Sequence, residues 1–345
     1  MAENKNLIIP EGLDVKPRSP FSDAWREFKR NKLAVAGLLF VILVIVTAFI
    51  APLITPYDFE QQNTRQNRAK PMTGYVITEE YAEEFCHWSG TFIEWGCTIY
   101  FTGSDALGRD LWSRVIYGTR VSLSVAVVAS TVALIIGTVL GTISGYFGGV
   151  LDNVFMRLVD FLYAIPLLPI IILMQVYFQA LTSEGVKTGV AGALINWNKS
   201  SGGLMFLFIA LGVLNWIGMA RLARGQVLSY KNKEFVEAAR AIGAPNTRII
   251  FKHLVPNIFG PLLIAETLAI PGYIFTEAIL SFIGLGVNPP IPSWGAMIND
   301  GYAGIKSNPH LVLVPGTALT LLTLAFNFFG DGLRDAFDPK MRGKA

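Results

Sequence analysis

Two carboxylates occupy positions where carboxylates are costly. Glu266 and Glu277 interrupt an otherwise apolar stretch at 258–285. An ionised side chain inside a membrane span is unfavourable unless it faces a cavity or a partner. The two lie 11 residues apart, close to three helical turns, so an ideal helix presents both on one face. That pattern suits a polar site on a translocation pathway, with structural pairing to a neighbouring helix as the alternative. Pro271-Gly272 between them predicts a kink or break. Other chemistries are poorly supplied. The 3 histidines are scattered, and the 2 cysteines, Cys86 and Cys97, with neighbouring His87, make no metal set. No Ser-His-Asp or Cys-His arrangement is suggested. The Walker A pattern G-x-x-x-x-G-K-[ST] does not occur, since Gly343-Lys344 lacks the upstream glycine. The chain is therefore not expected to be an enzyme, and no residue is assigned a catalytic, cofactor or metal role.

A second constellation is the polar loop EFVEAARAIGAPNTRIIFKHLVPN, 234–257. Ala, Glu and Arg around Glu237 and Arg240 favour helix. Ala238 and Ala239 leave little bulk, so another protein surface can approach closely. Gly243 can take positive φ and turn the chain. Pro245 permits a new helical start, and Pro256 marks a boundary before the next apolar span. The expectation is two short helices meeting at an elbow.

The elements that position these groups are membrane helices. The chain of 345 residues is 52% hydrophobic and 15% charged, with mean hydropathy +0.47. Soluble domains carry nearer a quarter charged residues. Runs without charge cover 33–54, 121–145, 161–183, 200–220 and 311–330. About 20 apolar residues suffice to cross the hydrocarbon core. With the stretch holding the two glutamates, this gives six transmembrane helices. The first run follows a 32-residue polar tail and is read as a retained anchor, not a cleaved signal. Placing the N-terminus inside puts 19 Lys and Arg in inner segments and 9 in outer ones, which favours both termini in the cytoplasm. The polar loop is then internal. The net charge of +3 says little about partners; the basic run at 25–32 reads as a stop and orientation signal, and no nucleic-acid partner is expected.

The segments between spans carry further signals. Cys86 and Cys97 lie on an external stretch, 55–120, where a disulfide can form in an oxidising exterior; two free thiols are the alternative. Glu79, Glu80, Glu83 and Glu84 around Tyr81 and Phe85 suggest an acidic segment able to meet an external solute receptor, or simply a solvated face. Leu111, Trp112, Val115 and Ile116 oppose Arg109, Asp110, Arg114 and Arg120, the pattern of a helix lying at the interface. Gly137, Gly141 and Gly145 form a small-residue ridge for close packing with another helix of the same chain. Asp160, near Pro166 and Pro169, is expected near a membrane surface. Asp331, Arg334, Asp335 and Asp338 are expected to pair locally along a helix.

Several of these stretches together resemble one family. Glu237-Ala238-Ala239, three residues, Gly243, nine residues, then His253-Leu254-Val255-Pro256 resembles the EAA loop of ABC importer permeases, with His253 and Val255 in place of Ile and Leu. Leu107-Gly108-Arg109-Asp110, EAILSFIGLG at 277–286, Pro292-Ser293-Trp294-Gly295 and NFFGDGLRDAFDP at 327–339 resemble elements of the C-type permeases of dipeptide and oligopeptide importers. The resemblance covers nearly the whole chain. It implies an all-α membrane protein of six transmembrane helices with the type I (MetI-like) permease fold. The implied division is a cytoplasmic tail 1–32, a first helix 33–56, an extracytoplasmic segment 57–118 with an interfacial helix, a five-helix core 119–331 with the coupling loop 232–257, and a cytoplasmic tail 332–345. It implies a homologous B-type permease, two ABC ATPase subunits that bind ATP and Mg, and an extracytoplasmic peptide-binding protein as partners. Glu237, Ala238, Ala239, Gly243 and Pro256 then serve ATPase coupling, and Glu266 and Glu277 are candidates for the pathway. Alternatives are the same fold with another cargo, such as a nickel chelate, glutathione, an antimicrobial peptide or an oligosaccharide, or an ATPase-independent secondary transporter or channel.

Overall fold

The structure is a computed structural model, and it describes residues 20–74, 99–183 and 189–337. Besides a 3-10 turn at Thr64–Gln66, eleven helices are defined among the described residues: α1 Pro20–Arg30, α2 Lys32–Ile54, α3 Leu111–Phe147, α4 Gly149–Ala164, α5 Leu167–Ser183, α6 Gly189–Ser200, α7 Leu204–Tyr230, α8 Glu234–Ala241, α9 Asn246–Phe282, α10 Trp294–Tyr302 and α11 His310–Phe337. Two short strands, β1 Thr73–Gly74 and β2 Ile99–Tyr100, pair antiparallel. Cys86, Cys97, the acidic segment around Tyr81 and Asp338 lie outside the described residues.

Five helices, α2, α3, α7, α9 and α11, are long and apolar enough to cross a membrane. The expected third span differs from the other five. Only α5 covers most of the charge-free run 161–183; α4 occupies the expected inner turn before it, and the two meet at 84°. Pro166 explains the break, because a residue before proline is pushed out of helical geometry. Ile165 accordingly sits at φ −83°, ψ 129°.

The second span is longer than its charge-free run. Asp110 caps α3 by accepting a 2.7 Å hydrogen bond from the Ser113 amide. No proline interrupts the next 37 residues, so α3 extends about 55 Å. The expected interfacial helix is thus the first part of this span. Of its basic residues Arg120 is exposed, but the other two do not face solvent. Arg109 and Arg114 are buried, with Arg109 Nε 2.6 Å from Asp105 and Arg114 Nε 3.5 Å from the same carboxylate.

Neighbouring spans approach closely where glycine allows it. A Cβ on Gly141 would lie 2.2 Å from the Ala220 carbonyl oxygen, and one on Gly137 would lie 2.6 Å from Met219 Cβ. The ridge therefore brings α3 against α7, as its spacing predicts. One apolar cluster joins α2, α3, α9, α10 and α11, and a second joins α3, α5, α7 and α9. A third packs Ala24 and Phe28 of α1 against Ala34 and Ala336.

Helix α9 runs unbroken through Pro271-Gly272, so the expected break does not occur there. Tyr273 and Ile274 are buried immediately beyond the proline, and packing in a membrane helix can hold a segment whose proline lacks one backbone bond. In α11, Asp331, Arg334 and Asp335 make no ion pair among the described residues, so the expected local pairing is absent there.

Candidate functional site

The polar loop folds as an elbow, but with unequal arms. α8 covers Glu234–Ala241, and Gly243 turns the chain at φ +79°. Pro245 then precedes Asn246, where α9 starts. The second arm is not short, because the helix continues from Asn246 to Phe282. It passes through a wider π-helical turn, Ile249–Leu254, before resuming α geometry at Val255. Pro256 therefore marks a change of helical pitch in the first turn after Leu254, with no gap in the helix.

The two alanines differ in setting. Ala239 is buried with Val236, Ile249, Ile250 and Leu254, so its small size serves the elbow's own core. Ala238 and Glu237 are exposed. Phe235 and Phe251 are exposed, and Ile242 at the bend is 86% exposed. A Cβ on Gly243 would meet nothing within 4 Å. The elbow thus exposes apolar side chains along with the Glu237 carboxylate.

The elbow is bonded to the end of α3, which is joined in turn to α4 and α7. Tyr146, near the end of α3, donates a 2.8 Å hydrogen bond to Asn246 Oδ1. Arg240 lies over the Tyr146 ring at 5.5 Å. Lys231 Nζ donates to the Gly145 carbonyl at 3.1 Å. Below these contacts, Arg224 of α7 holds Asp152 of α4 by two 2.6 Å hydrogen bonds, and Ser144 donates to the same carboxylate at 2.5 Å. Bidentate pairs of this kind fix geometry as well as charge. The elbow is thus bonded to the end of α3, and polar contacts join the ends of α3, α4 and α7 to one another. Sequence reasoning missed Tyr146, Asp152 and Arg224. The available signal was opposite charge on two inner segments of a chain with few charges.

The two membrane carboxylates have different surroundings. A groove of about 720 Å³ opens between the end of α4, α7 and α9, lined by Tyr163, Asn215, Met219, Glu266, Tyr273 and Thr276 among others. Glu266 is 4% exposed and accepts a 2.8 Å hydrogen bond from Tyr273. Glu277 is 0% exposed and does not line that groove. It accepts from Ser281 at 2.6 Å and from Ser122 of α3 at 3.4 Å, with Ser293 a third hydroxyl partner. Trp294, next to Ser293, donates to the Val115 carbonyl at 2.9 Å. The stretches 277–286 and 292–295 thus form one clasp between α9, α3 and α10. Eleven residues of helix bring both glutamates inward, but α3 and the 283–293 connection close over only the second. Asp160, expected near a surface, pairs with Arg221 at 2.5 Å, and Arg221 stacks on Tyr163 beside the groove.

At the opposite end, Asp110 is buried beneath the segment before α3. Burial drives its carboxyl from the ordinary 3.8 up to about 6, against hydrogen bonds from Ser113 and Trp112 that favour ionisation. Burial also raises Asp300, while Arg114 and Arg109 oppose that shift.

The chain matches two sequence families. Residues 137–343 match the binding-protein-dependent transport system inner membrane component, and residues 19–71 match the N-terminal transmembrane domain of oligopeptide transport permease C. The chain is 37% identical over 346 residues to the oligopeptide transport system permease protein OppC of Bacillus subtilis, covering 98% of each. It is 38% identical over 321 residues to the dipeptide transport system permease protein DppC of the same organism, covering 93% of this chain and 86% of that one. Its fold resembles a chain of the inward-facing MetNI methionine ABC transporter at TM-score 0.50 and 20% identity, covering 66% of this chain and 97% of that one.

Proposed function

This chain belongs to the family of binding-protein-dependent transport system inner membrane components, and on that premise we propose that it is the C-type permease subunit of an ATP-driven importer of dipeptides or oligopeptides. The observation that carries the reading is the exposed elbow, turned at Gly243 and braced on Tyr146. A chain that moves its own cargo without a motor has no need for an elbow that presents apolar groups outward and is tied to the end of α3.

In this reading Glu237, Ala238, Gly243 and the exposed Ile242 meet an ATPase subunit. Ala239 and Pro256 shape the elbow from within. ATP and Mg are bound by two partner ATPases, a homologous B-type permease completes the pathway, and an extracytoplasmic binding protein delivers peptide. Both termini and the elbow face the cytoplasm. ATP binding draws the ATPases together, and the elbow carries that motion through Tyr146 and the Asp152–Arg224 pair to α3, α4 and α7. The groove then alternates between outward and inward exposure. Glu266 is our candidate for the pathway because it lines the groove, and Glu277, enclosed by serines, is assigned to packing of the clasp. Affinity purification from the native membrane tests the assignment: ATPases with Walker motifs and a second permease are expected to accompany the chain. Purification alone, with solute movement independent of ATP, would overturn it.

A further inference from the structure

Glu266 is the one acidic or basic side chain among the described residues that line the groove. The lining includes Asn215, Tyr273 and Thr276 as polar groups, but none of the described lining residues is Lys, Arg or His. Glu266 takes part in no ion pair among the described residues, and its hydrogen-bond partner is the neutral hydroxyl of Tyr273. The nearby cation Arg221 is already engaged by Asp160 at 2.5 Å. A carboxylate withdrawn from water without a counter-cation is unfavourable, and an arriving cation relieves that cost. A low-dielectric wall also strengthens the attraction, because field lines are focused in a cleft of one sign.

We propose that Glu266 is the point at which the groove receives a positively charged group of the cargo, namely an ammonium of a passing peptide. This rests on the importer reading above and adds a chemical preference to it. The same negative site disfavours a carboxylate at that depth. A peptide is therefore drawn through with an ammonium against Glu266 and its acidic groups away from it. Tyr273 is a positioning residue, since its hydroxyl orients the carboxylate without altering its charge.

The test uses the complete complex in proteoliposomes with ATP and saturating peptide-loaded binding protein, so that receptor affinity does not enter. Maximal uptake rates are compared for Ala-Lys-Ala and Ala-Glu-Ala. We expect the basic peptide to be moved faster by about threefold or more, and Glu266→Gln to bring the ratio to about one. Glu266→Asp should restore the preference, and Tyr273→Phe should leave it in place, whereas a merely structural role would give no change in the ratio. A ratio unaffected by Glu266→Gln would overturn the inference. A second measurement separates this from failure of the pathway reading. Glu266→Cys, with Cys86 and Cys97 replaced by serine, should react with a water-soluble thiol reagent and be protected by transported peptide. Reaction with an unchanged ratio overturns the ammonium contact alone. Absence of reaction overturns the pathway reading and the contact with it.

Discussion

Arg120 Nε donates a 2.6 Å hydrogen bond to the carbonyl oxygen of Ala48. Ala48 lies four residues before Pro52, so the helix itself supplies no donor to that oxygen. Arg120 Nη2 reaches the next carbonyl, Phe49, at 3.3 Å. The proline of the first span and an arginine of the second therefore form one joint, which fixes α2 against α3.

Removing the arginine should expose this defect. Arg120→Met is expected to lower stability by about 1.5–3 kcal/mol, the range for a hydrogen bond to a charged group. Adding Pro52→Ala should recover part of the loss, because alanine restores the amide. Thermal unfolding in detergent of the two single variants and the double variant measures this coupling. Additive effects would mean that the two residues are independent.

The α3–α7 contact leaves no room for a side chain at Gly141. Gly141→Val would drive a side chain into the Ala220 backbone, where a Cβ already falls 2.2 Å from the carbonyl oxygen. Backbone cannot move as a flexible side chain can, so a loss of at least ~2 kcal/mol is expected. Gly218 has open space around it, and Gly218→Ala should be nearly silent. Expression level and melting temperature distinguish the two.

Asp110 predicts a pH dependence. Its folded pKa of about 6 exceeds the ordinary 3.8. Between these values the folded chain holds a proton that the unfolded chain releases, so this group's contribution to stability is fully present below pH ~4 and falls until pH ~6. The full shift corresponds to about 3 kcal/mol. Asp110→Asn keeps a capping side chain and removes the titration. The melting temperature of the variant should match the unaltered protein near pH 4 and exceed it near pH 7. Parallel curves across that range would contradict the assignment.

Gly243 separates folding from docking. Its φ of +79° is strained for any L side chain, at about 1–2 kcal/mol, but the space around it is open. Gly243→Arg should therefore reach the membrane and fold, while its side chain projects from the elbow surface. Co-purified ATPase should drop by about tenfold or more, the effect of a central interface residue. Gly243→Ala should lose much less. Normal ATPase recovery with arginine would remove the elbow from the docking surface.

Much of this arrangement is legible in the residues themselves. Charge-free runs locate the spans because the bilayer excludes unpaired charge. Gly243 announces its turn because glycine adopts positive φ readily. The Gly137–Gly145 ridge announces a close approach. What local pattern misses depends on tertiary neighbours. Ala239 reads as a surface residue until Ile249 and Leu254 pack on it. Glu266 and Glu277 look equivalent along the helix and differ only through what covers each. Pro271 reads as a break, yet burial of Tyr273 and Ile274 maintains the helix. Pro166 does break its span, since the flanking surfaces of α4 and α5 are widely exposed and little packing holds the segment straight.

The central claim is that this chain moves peptide only when an ATPase drives it through the elbow. The direct measurement is uptake of a labelled peptide into proteoliposomes that hold the purified complex, with loaded binding protein on one side and ATP on the other. We predict accumulation that requires ATP, requires the binding protein and is abolished by Gly243→Arg with the chain still present. Equal uptake without ATP, or unchanged uptake by the Gly243→Arg complex, would contradict the account.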